Sequence, residues 1–460
     1  MCGLIASVSE LDELDPQSPH SIDLKLLINK LDYRGIRGYK GYRGERRRNE
    51  RSFAPEIVQF AHTSLPFTSM KREDAIQPQK GSQLVFVGEI FNYDSEKFSN
   101  DVAELNNEFQ LSLVRDFHDY LHSRDGFWSF VGMRNDNLVG YTDFLGIKPL
   151  YYRTDMEAFA SEPDVLKHLG PVTPNEIFLS NVLKWGYDPR PETPWNEIKQ
   201  VPPGCYVENN IVKPYWDWAK VKITNLPNDL QESVKNRLGG LREVPILLSG
   251  GLDSSIIYKI MKKLGRTGIN CIHVENNESW FAENVIAEDD KMHYVTLDDD
   301  YDDDTQIKVA QTPVDLGSTK QQYLMGKKLK GLGFNAVMTG DGADELFGGY
   351  RRSAQYDSQC SDVFCELPYY HLPKIDRTMM RSTVEVRCPF LSPKVIKHAL
   401  ELPYKKRNGI KHVLKTIASG LVPEVVINRE KLPLKTKEIA EDPLSVRIEM
   451  VKKWRDYYGI

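Results

Sequence analysis

Seven consecutive residues, Ser249-Gly250-Gly251-Leu252-Asp253-Ser254-Ser255, carry the side-chain types that handle a polyanion. They follow the apolar run Val244-Pro245-Ile246-Leu247-Leu248 and precede Ile256-Ile257-Tyr258, an order that predicts a strand, a loop and the first turn of a helix. Two glycines let the backbone approach an anion closely, the serine hydroxyls and helix N–H groups donate to it, and the helix dipole favours negative charge there. Asp253 does not suit such a site alone. A carboxylate beside phosphate is repelled unless a divalent cation lies between them, so Mg2+ is implied. No Gly-Lys-Ser/Thr closes the loop, which excludes the Walker pattern.

A second glycine-rich stretch, Thr339-Gly340-Asp341-Gly342-Ala343-Asp344-Glu345-Leu346-Phe347-Gly348-Gly349-Tyr350, crowds three carboxylates behind a predicted strand. A metal or a cationic substrate would relieve their repulsion. Cys2 is the third candidate. Once Met1 is removed it carries both a thiol and a free α-amine titrating near neutrality, and the amine can act as the thiol's own general base. An ordinary Ser-Gly-Gly turn and a cysteine that merely begins a strand are the competing readings.

These residues need elements to hold them. From about 226 the chain alternates helix and strand: Asp229 to Leu241, strand Val244 to Leu248, helix Ile256 to Leu264, strand Asn270 to Val274, helix Lys320 to Leu329, strand Ala336 to Thr339. That pattern predicts a doubly wound parallel sheet with ligands at the strand C-termini, where both glycine-rich stretches fall. Up to about 205 the runs are short: Gly3 to Val8, Ile57 to Ala61, Leu84 to Val87, Phe127 to Met133, Asn137 to Tyr141 and Leu150 to Arg153. Gly, Asn, Asp and Pro separate them, as in an antiparallel β-rich domain with helices such as Asp23 to Leu31 and Glu108 to Leu121. Between the two lie Pro202-Pro203-Gly204 and Tyr215-Trp216-Asp217-Trp218, a turn and an aromatic cluster suited to a domain junction.

With 460 residues the chain is long enough for two cores. Charged residues make up 27%, the formal charge is -5, and no run of apolar residues is long enough for a membrane span. The start Met1-Cys2-Gly3-Leu4-Ile5 lacks the features of a signal peptide, and the six cysteines are scattered, so a cytoplasmic protein with free thiols is expected. The basic run from Lys40 to Arg51 and the acidic run from Asp298 to Asp304 are expected to be solvated loops; the acidic overall charge argues against nucleic acid as the partner of the first.

The loop at 249 to 255 resembles the pyrophosphate loop of the ATP-pyrophosphatase superfamily, enzymes that cleave ATP to AMP and pyrophosphate while adenylating an oxygen of their substrate. Cys2-Gly3-Leu4-Ile5, Arg34-Gly35, Gly88-Glu89-Ile90-Phe91-Asn92-Tyr93, Asp143-Phe144-Leu145-Gly146-Ile147-Lys148-Pro149-Leu150-Tyr151-Tyr152 and Ala160-Ser161-Glu162 occur in the order of class II glutamine amidotransferases. Together with the block after Thr339, with Val384-Glu385-Val386-Arg387-Cys388-Pro389-Phe390-Leu391, with Lys411-His412-Val413-Leu414-Lys415 and with Arg429-Glu430-Lys431, the chain is most similar to the glutamine-hydrolysing asparagine synthetase family.

The resemblance implies an α/β plus α+β protein. Residues 2–205 would form an N-terminal-nucleophile amidotransferase domain, an antiparallel β-sandwich flanked by helices, and residues 226–460 a doubly wound synthetase domain. It implies a ligase of asparagine biosynthesis, with ATP and Mg2+ as cofactors and glutamine or ammonia and aspartate or another carboxylate as substrates. Cys2 would attack the glutamine amide, with Gly88 and Glu89 at the glutamine site. ATP would lie on Ser249 to Ser255 and Thr339, its adenine near Leu247, Val274 and Gly340, with Asp253 and Asp344 holding the metal. Asp344 and Glu345 would belong to the catalytic set, and Lys431 would stabilise the charge developing at the reacting phosphate. Glu385 and Arg387 are either site residues or a structural ion pair. Self-association as a homodimer stays open. The alternative is the same chemistry on a different carboxylate or on a macromolecule, with a degenerate glutaminase site. Three departures favour weak glutamine use: Ser64 stands where relatives carry an arginine, Val87 where they carry an asparagine, and Asn106 where an aspartate takes the α-amine. Ser392 stands where an aspartate is common, and the C-terminal part is expected to be trimmed.

Overall fold

The β-branched and aromatic runs of the first half pair into two sheets, antiparallel throughout among the described residues. The computed structural model describes residues 3–10, 27, 36–49, 52–64, 83–135, 137–239, 243–296, 302–313, 317–350, 362–402, 411–429 and 443–460. By contacts the chain falls into two units, Met1–Asp217 with Ile460, and Trp218–Gly459.

In the first unit one sheet runs β2 (Ile36–Asn49), β3 (Ser52–Ser64), β1 (Gly3–Glu10), β8 (Ala158–Ala160), β7 (Tyr151–Arg153), β9 (Ile198–Gln200). The other runs β11 (Ile211–Pro214), β10 (Cys205–Glu208), β6 (Asn137–Thr142), β5 (Gly126–Arg134), β4 (Leu84–Ile90). They stack face to face: a Cβ on Gly140 of β6 would lie 2.4 Å from the Phe159 ring of β8. The outer face of the second sheet carries the helix Asp101–Leu111, whose Phe109 ring would lie 2.6 Å from a Cβ on Gly132 of β5. Covered on both faces, β5 is buried from Gly126 to Gly132 and shows no polar alternation. This is the expected antiparallel sandwich flanked by helices.

Three details differ from the sequence expectation. The single helix over Glu108 to Leu121 is two helices, Asp101–Leu111 and Val114–His122, broken where Ser112 and Leu113 are extended. The Asn100 side chain accepts from the Ala103 N–H at 2.8 Å and starts the first of them seven residues early, a cap the hydrophobic pattern does not reveal. The basic run is no loop down to Asn49: it is strand β2, paired with β3 at the edge of its sheet. Charge on an edge strand opposes pairing with another chain. Of the acidic run, Asp302 caps the helix Asp303–Ala310, its carboxylate accepting from the Thr305 N–H at 2.6 Å. The helix expected at Asp23 to Leu31 lies outside the described residues except at 27.

The second unit holds a sheet in the order β14 (Lys291–Val295), β13 (Asn270–Val274), β12 (Ile246–Leu247), β15 (Ala336–Met338), β16 (Glu385–Arg387), every pair parallel. The chain enters at the centre, builds outward through β13 and β14, then returns to the other side of β12 for β15 and β16. Right-handed crossovers in these two directions put the connecting helices on opposite faces. The direction changes between β12 and β15, so the segments leaving these two strands lie side by side, the place where doubly wound sheets bind ligands. Strand β14 was not legible because it is largely exposed, and β16 because a charged pair flanks its one apolar residue.

Candidate active site

The segment leaving β12 is the Ser249–Ser255 loop, and its own hydroxyls shape it. Ser254 Oγ accepts from the Ser249 N–H at 3.2 Å, lies 3.1 Å from Ser249 Oγ and donates to Gly251 O at 3.3 Å. Gly250 adopts φ +70, and a Cβ there would lie 2.5 Å from the Ala282 backbone nitrogen, so conformation and space both require glycine. The helix Leu252–Lys263 begins directly after Gly251, with Ser254 and Ser255 buried and Asp253 part-open in its first turn. Leu247 and Val274 end the adjacent strands β12 and β13, both half-buried.

The segment leaving β15 meets this loop. A Cβ on Gly340 would lie 2.9 Å from the Ser254 nitrogen and 3.0 Å from Asp253 Cβ. Thr339 donates its N–H to Arg387 O at 3.0 Å, fixing the turn to β16. Asp344 and Glu345 then sit on the one-turn helix Ala343–Phe347 and part company. Asp344 turns towards Asp253. Glu345, 5% exposed, accepts from the Tyr350 hydroxyl at 2.5 Å and lies 3.5 Å from His371 Nε2, which is 3.0 Å from Glu366 Oε1. Burial is the main cause raising the Glu345 carboxyl above its ordinary range, and neighbouring Asp344 adds to it.

Between the two loops lies a cation that sequence reasoning did not assign. The Lys411 ammonium hydrogen-bonds Asp253 Oδ2 and lies 2.5 Å from Asp344 Oδ1. Its side chain is 7% exposed, against 18% and 21% for the two carboxylates. Burial alone would lower its pKa; Asp253 and Asp344 outweigh that and hold it above the ordinary lysine value, so it is charged. The backbone at Lys411 is left-handed at φ 49, an uncommon and costly state for a residue with a side chain, which the surrounding contacts must enforce. The signal available was the stretch Lys411-His412-Val413-Leu414-Lys415 itself, singled out in the sequence without a role for either of its lysines. Lys431, which was given this role, lies outside the described residues.

No metal cluster of three or more His, Cys, Asp or Glu occurs among the described residues. Asp253 and Asp344 nevertheless fit a divalent cation. They are hard oxygen donors that already converge on one positive charge, and Mg2+ bound by one or two carboxylates takes its other ligands from water and phosphate.

Glu385 and Arg387 are a structural pair. Both are fully buried; Arg387 Nε donates to Glu385 Oε1 at 2.9 Å and its Nη1 to Arg237 O at 2.6 Å. Arg387→Met should cost about 3–5 kcal/mol by removing the charged partner of a buried carboxylate. Urea unfolding checks this, and a loss well under 1 kcal/mol would contradict it.

In the first unit, Leu4 and Ser161 exchange two hydrogen bonds, Leu4 N–H to Ser161 Oγ at 3.2 Å and Ser161 N–H to Leu4 O at 3.1 Å, tying Ala160-Ser161-Glu162 to the start of β1. Gly3 pairs with Thr63, the neighbour of Ser64. Cys2 and the side chain of Ser64 lie outside what is described. Asp143 is buried and accepts from the N–H groups of Trp128, Leu145, Ile147 and Lys148 at 2.9–3.2 Å, so its motif is a structural knot. Gly88 adopts φ +134, with Phe127 O only 2.0 Å from where a Cβ would be, and Glu89 follows half-buried. Asn106 is not beside them: it accepts from the Gln83 N–H at 3.2 Å, at the opposite end of β4. The carboxylate next to Glu89 belongs to Asp101, which accepts from the Ile90 N–H at 2.9 Å. The expectation for Asn106 came from the resemblance alone; the structure puts Asp101, five residues earlier in the chain, at this end of β4.

Two family models cover the chain in order. Residues 1–216 match a glutamine amidotransferase domain, and residues 225–365 and 357–454 match asparagine synthase. Among similar proteins, a Methanocaldococcus jannaschii protein with a provisional asparagine synthetase (glutamine-hydrolyzing) name is 28% identical over 70% of this chain and 64% of its own length. Asparagine synthetase B (glutamine-hydrolyzing) of Escherichia coli K12 is 26% identical over 77% of this chain and 69% of its own. Asparagine synthetase 1 (glutamine-hydrolyzing) of Bacillus subtilis is 23% identical over 76% and 75%. The chain thus spans just under two thirds of the first relative and somewhat more of the others. No described helix is long and apolar enough to cross a membrane. With the synthase model spanning half of its length behind an amidotransferase domain, the chain belongs to the asparagine synthase family.

Proposed function

We propose that the chain is an ATP-dependent amide-forming ligase, and the observation that carries this reading is the convergence of Asp253, Asp344 and Lys411 between two glycine-shaped loops at the sheet's switch point. Residues 226–460 adenylate a carboxylate, with aspartate the leading candidate because the similar enzymes are asparagine synthetases. Ser249 to Ser255 and Thr339 receive the phosphates, and Leu247, Val274 and Gly340 flank the adenine. When bound by Asp253 and Asp344, Mg2+ supplies charge neutralisation for the departing pyrophosphate. Lys411 is placed to steady negative charge on the reacting phosphate, ahead of Lys431. Glu345, tied to Tyr350 and His371, positions the turn that carries Asp344.

Residues 2–205 supply ammonia from glutamine, with Cys2 as nucleophile, Gly88 and Glu89 at the amide and Asp101 beside them. No disulfide joins the described Cys205, Cys271, Cys365 and Cys388, which suits a reducing, cytoplasmic setting; a homodimer rests on the family alone. The test is pyrophosphate release with ammonium as nitrogen source, screened across aspartate and other carboxylates. Aspartate-dependent release with matching AMP and asparagine is expected. Release with another carboxylate and none with aspartate would move the chain to that substrate.

A further inference from the structure

Two part-buried carboxylates on facing loops repel one another unless a positive charge lies between them, and here that charge is built into the chain. Lys411 reaches Asp253 on one loop and Asp344 on the other, and little space is left for anything else. A single added Cβ at Gly349 would lie 1.8 Å from Asp344 Oδ1 and 2.7 Å from Lys411 Cε. The left-handed backbone at Lys411 fixes where the side chain starts, so the placement of the ammonium is a property of the fold and not of a wandering surface lysine.

We propose that Lys411 determines the specificity of this site for chelated metal: its ammonium holds the Asp253–Asp344 pair closed to a free divalent cation and yields it only to a cation that arrives with a nucleoside triphosphate. The inference rests on the pyrophosphate-site reading given under the proposed function. A bare divalent cation entering between the carboxylates must evict a buried ammonium and leave it without a counter-charge. A metal–triphosphate complex brings anionic oxygens with it, so the ammonium exchanges carboxylate partners for phosphate partners while the metal takes the carboxylates. Both cations then keep opposite charge around them. The same exchange moves Lys411 from a resting partner to the reacting group, which links nucleotide arrival to assembly of the site.

The experiment measures Mn2+ binding to the full-length protein by the loss of the free-ion electron paramagnetic resonance signal, without nucleotide. Lys411→Met is expected to bind Mn2+ at least about tenfold more tightly than the natural chain. Adding Asp253→Asn to it should abolish the gain, locating the ion at this pair. Lys411→Gln, which keeps a polar chain of similar reach, should show the same gain and serves if the methionine variant does not fold, as judged by circular dichroism. Equal Mn2+ affinity in the natural chain and a folded Lys411 variant overturns the proposal, as does a gain that survives Asp253→Asn. ATP binding, followed in parallel by calorimetry, separates the two readings: a natural chain that binds no ATP while Lys411 still controls Mn2+ sinks the nucleotide site and with it the exchange, whereas intact ATP binding with equal Mn2+ affinities sinks only the role of Lys411.

Discussion

Asp253→Ala should lower ATP-dependent pyrophosphate release by about a hundredfold or more while the protein stays folded. The side chain sits in the first turn of the helix Leu252–Lys263 with 18% of its surface exposed, and the loop's conformation is held by the hydrogen bonds of Ser249 and Ser254 and by the backbone of Gly250, not by Asp253. Its removal therefore spares the fold but halves the negative charge that meets Lys411 and takes away one of the two oxygen donors available to a metal. Lys411→Ala should lose as much turnover for a different reason: two carboxylates would be left facing one another, and the reacting phosphate would lose its cation. The two variants should separate by binding. Asp253→Ala should weaken ATP binding in the presence of Mg2+, whereas Lys411→Ala should lower turnover more than it lowers affinity. Steady-state pyrophosphate assays with calorimetric ATP titrations read both, and a Lys411→Ala enzyme with near-natural turnover would hand the role back to Lys431.

The Ser249–Ser255 loop was legible because its hydrogen bonding is local. Seven adjacent residues between a strand and a helix specify their own geometry, and Ser249, Gly250 and Ser254 are hydrogen-bonded or strained among themselves and close neighbours. That Asp344 would meet Asp253 was also legible, because parallel strands in a doubly wound order bring their C-terminal ends to one side. Lys411 was harder. It lies 158 positions from Asp253 along the chain, on no periodic element, and its position depends on how a segment beyond the sheet folds back. Glu345 shows the opposite limit. Sequence places it beside Asp344, yet a one-turn helix sends adjacent side chains in different directions, and only the packing of Tyr350 and His371 reveals which carboxylate faces the cation. In the first unit the Asn100 cap starts the helix at Asp101 and sets that carboxylate next to Ile90, while Asn106 bonds at the other end of β4, a placement that resemblance along the sequence does not fix.

Cys2→Ala should remove glutamine-dependent amidation by about three orders of magnitude or more and leave the ammonium-driven reaction unchanged. The thiol has no substitute at the start of the chain, and the residues that would activate the carboxylate all lie in the other unit. Equal loss with both nitrogen sources would make Cys2 structural. The same assay on the natural chain tests whether glutamine is a good donor at all. With Asp101 restored to the neighbourhood of Glu89, two departures still stand. Val87 is buried on β4 and has no side-chain amide to offer an oxyanion, a loss that costs about a hundredfold where one such donor is removed. Ser64 ends β3 opposite Ile36 of β2, and a hydroxyl does not replace the charge-assisted fork of an arginine on a carboxylate. Arg37 pairs with Thr63 one position away, so the backbone register brings an arginine to the neighbouring row of the sheet and not to that of Ser64. Ammonium should therefore support turnover at least as well as glutamine, and Ser64→Arg together with Val87→Asn should raise glutamine-dependent turnover without changing the ammonium rate. A natural chain that saturates with glutamine at or below the millimolar range, at a rate matching ammonium, would refute this and place the recognition of the glutamine carboxylate on residues other than Ser64.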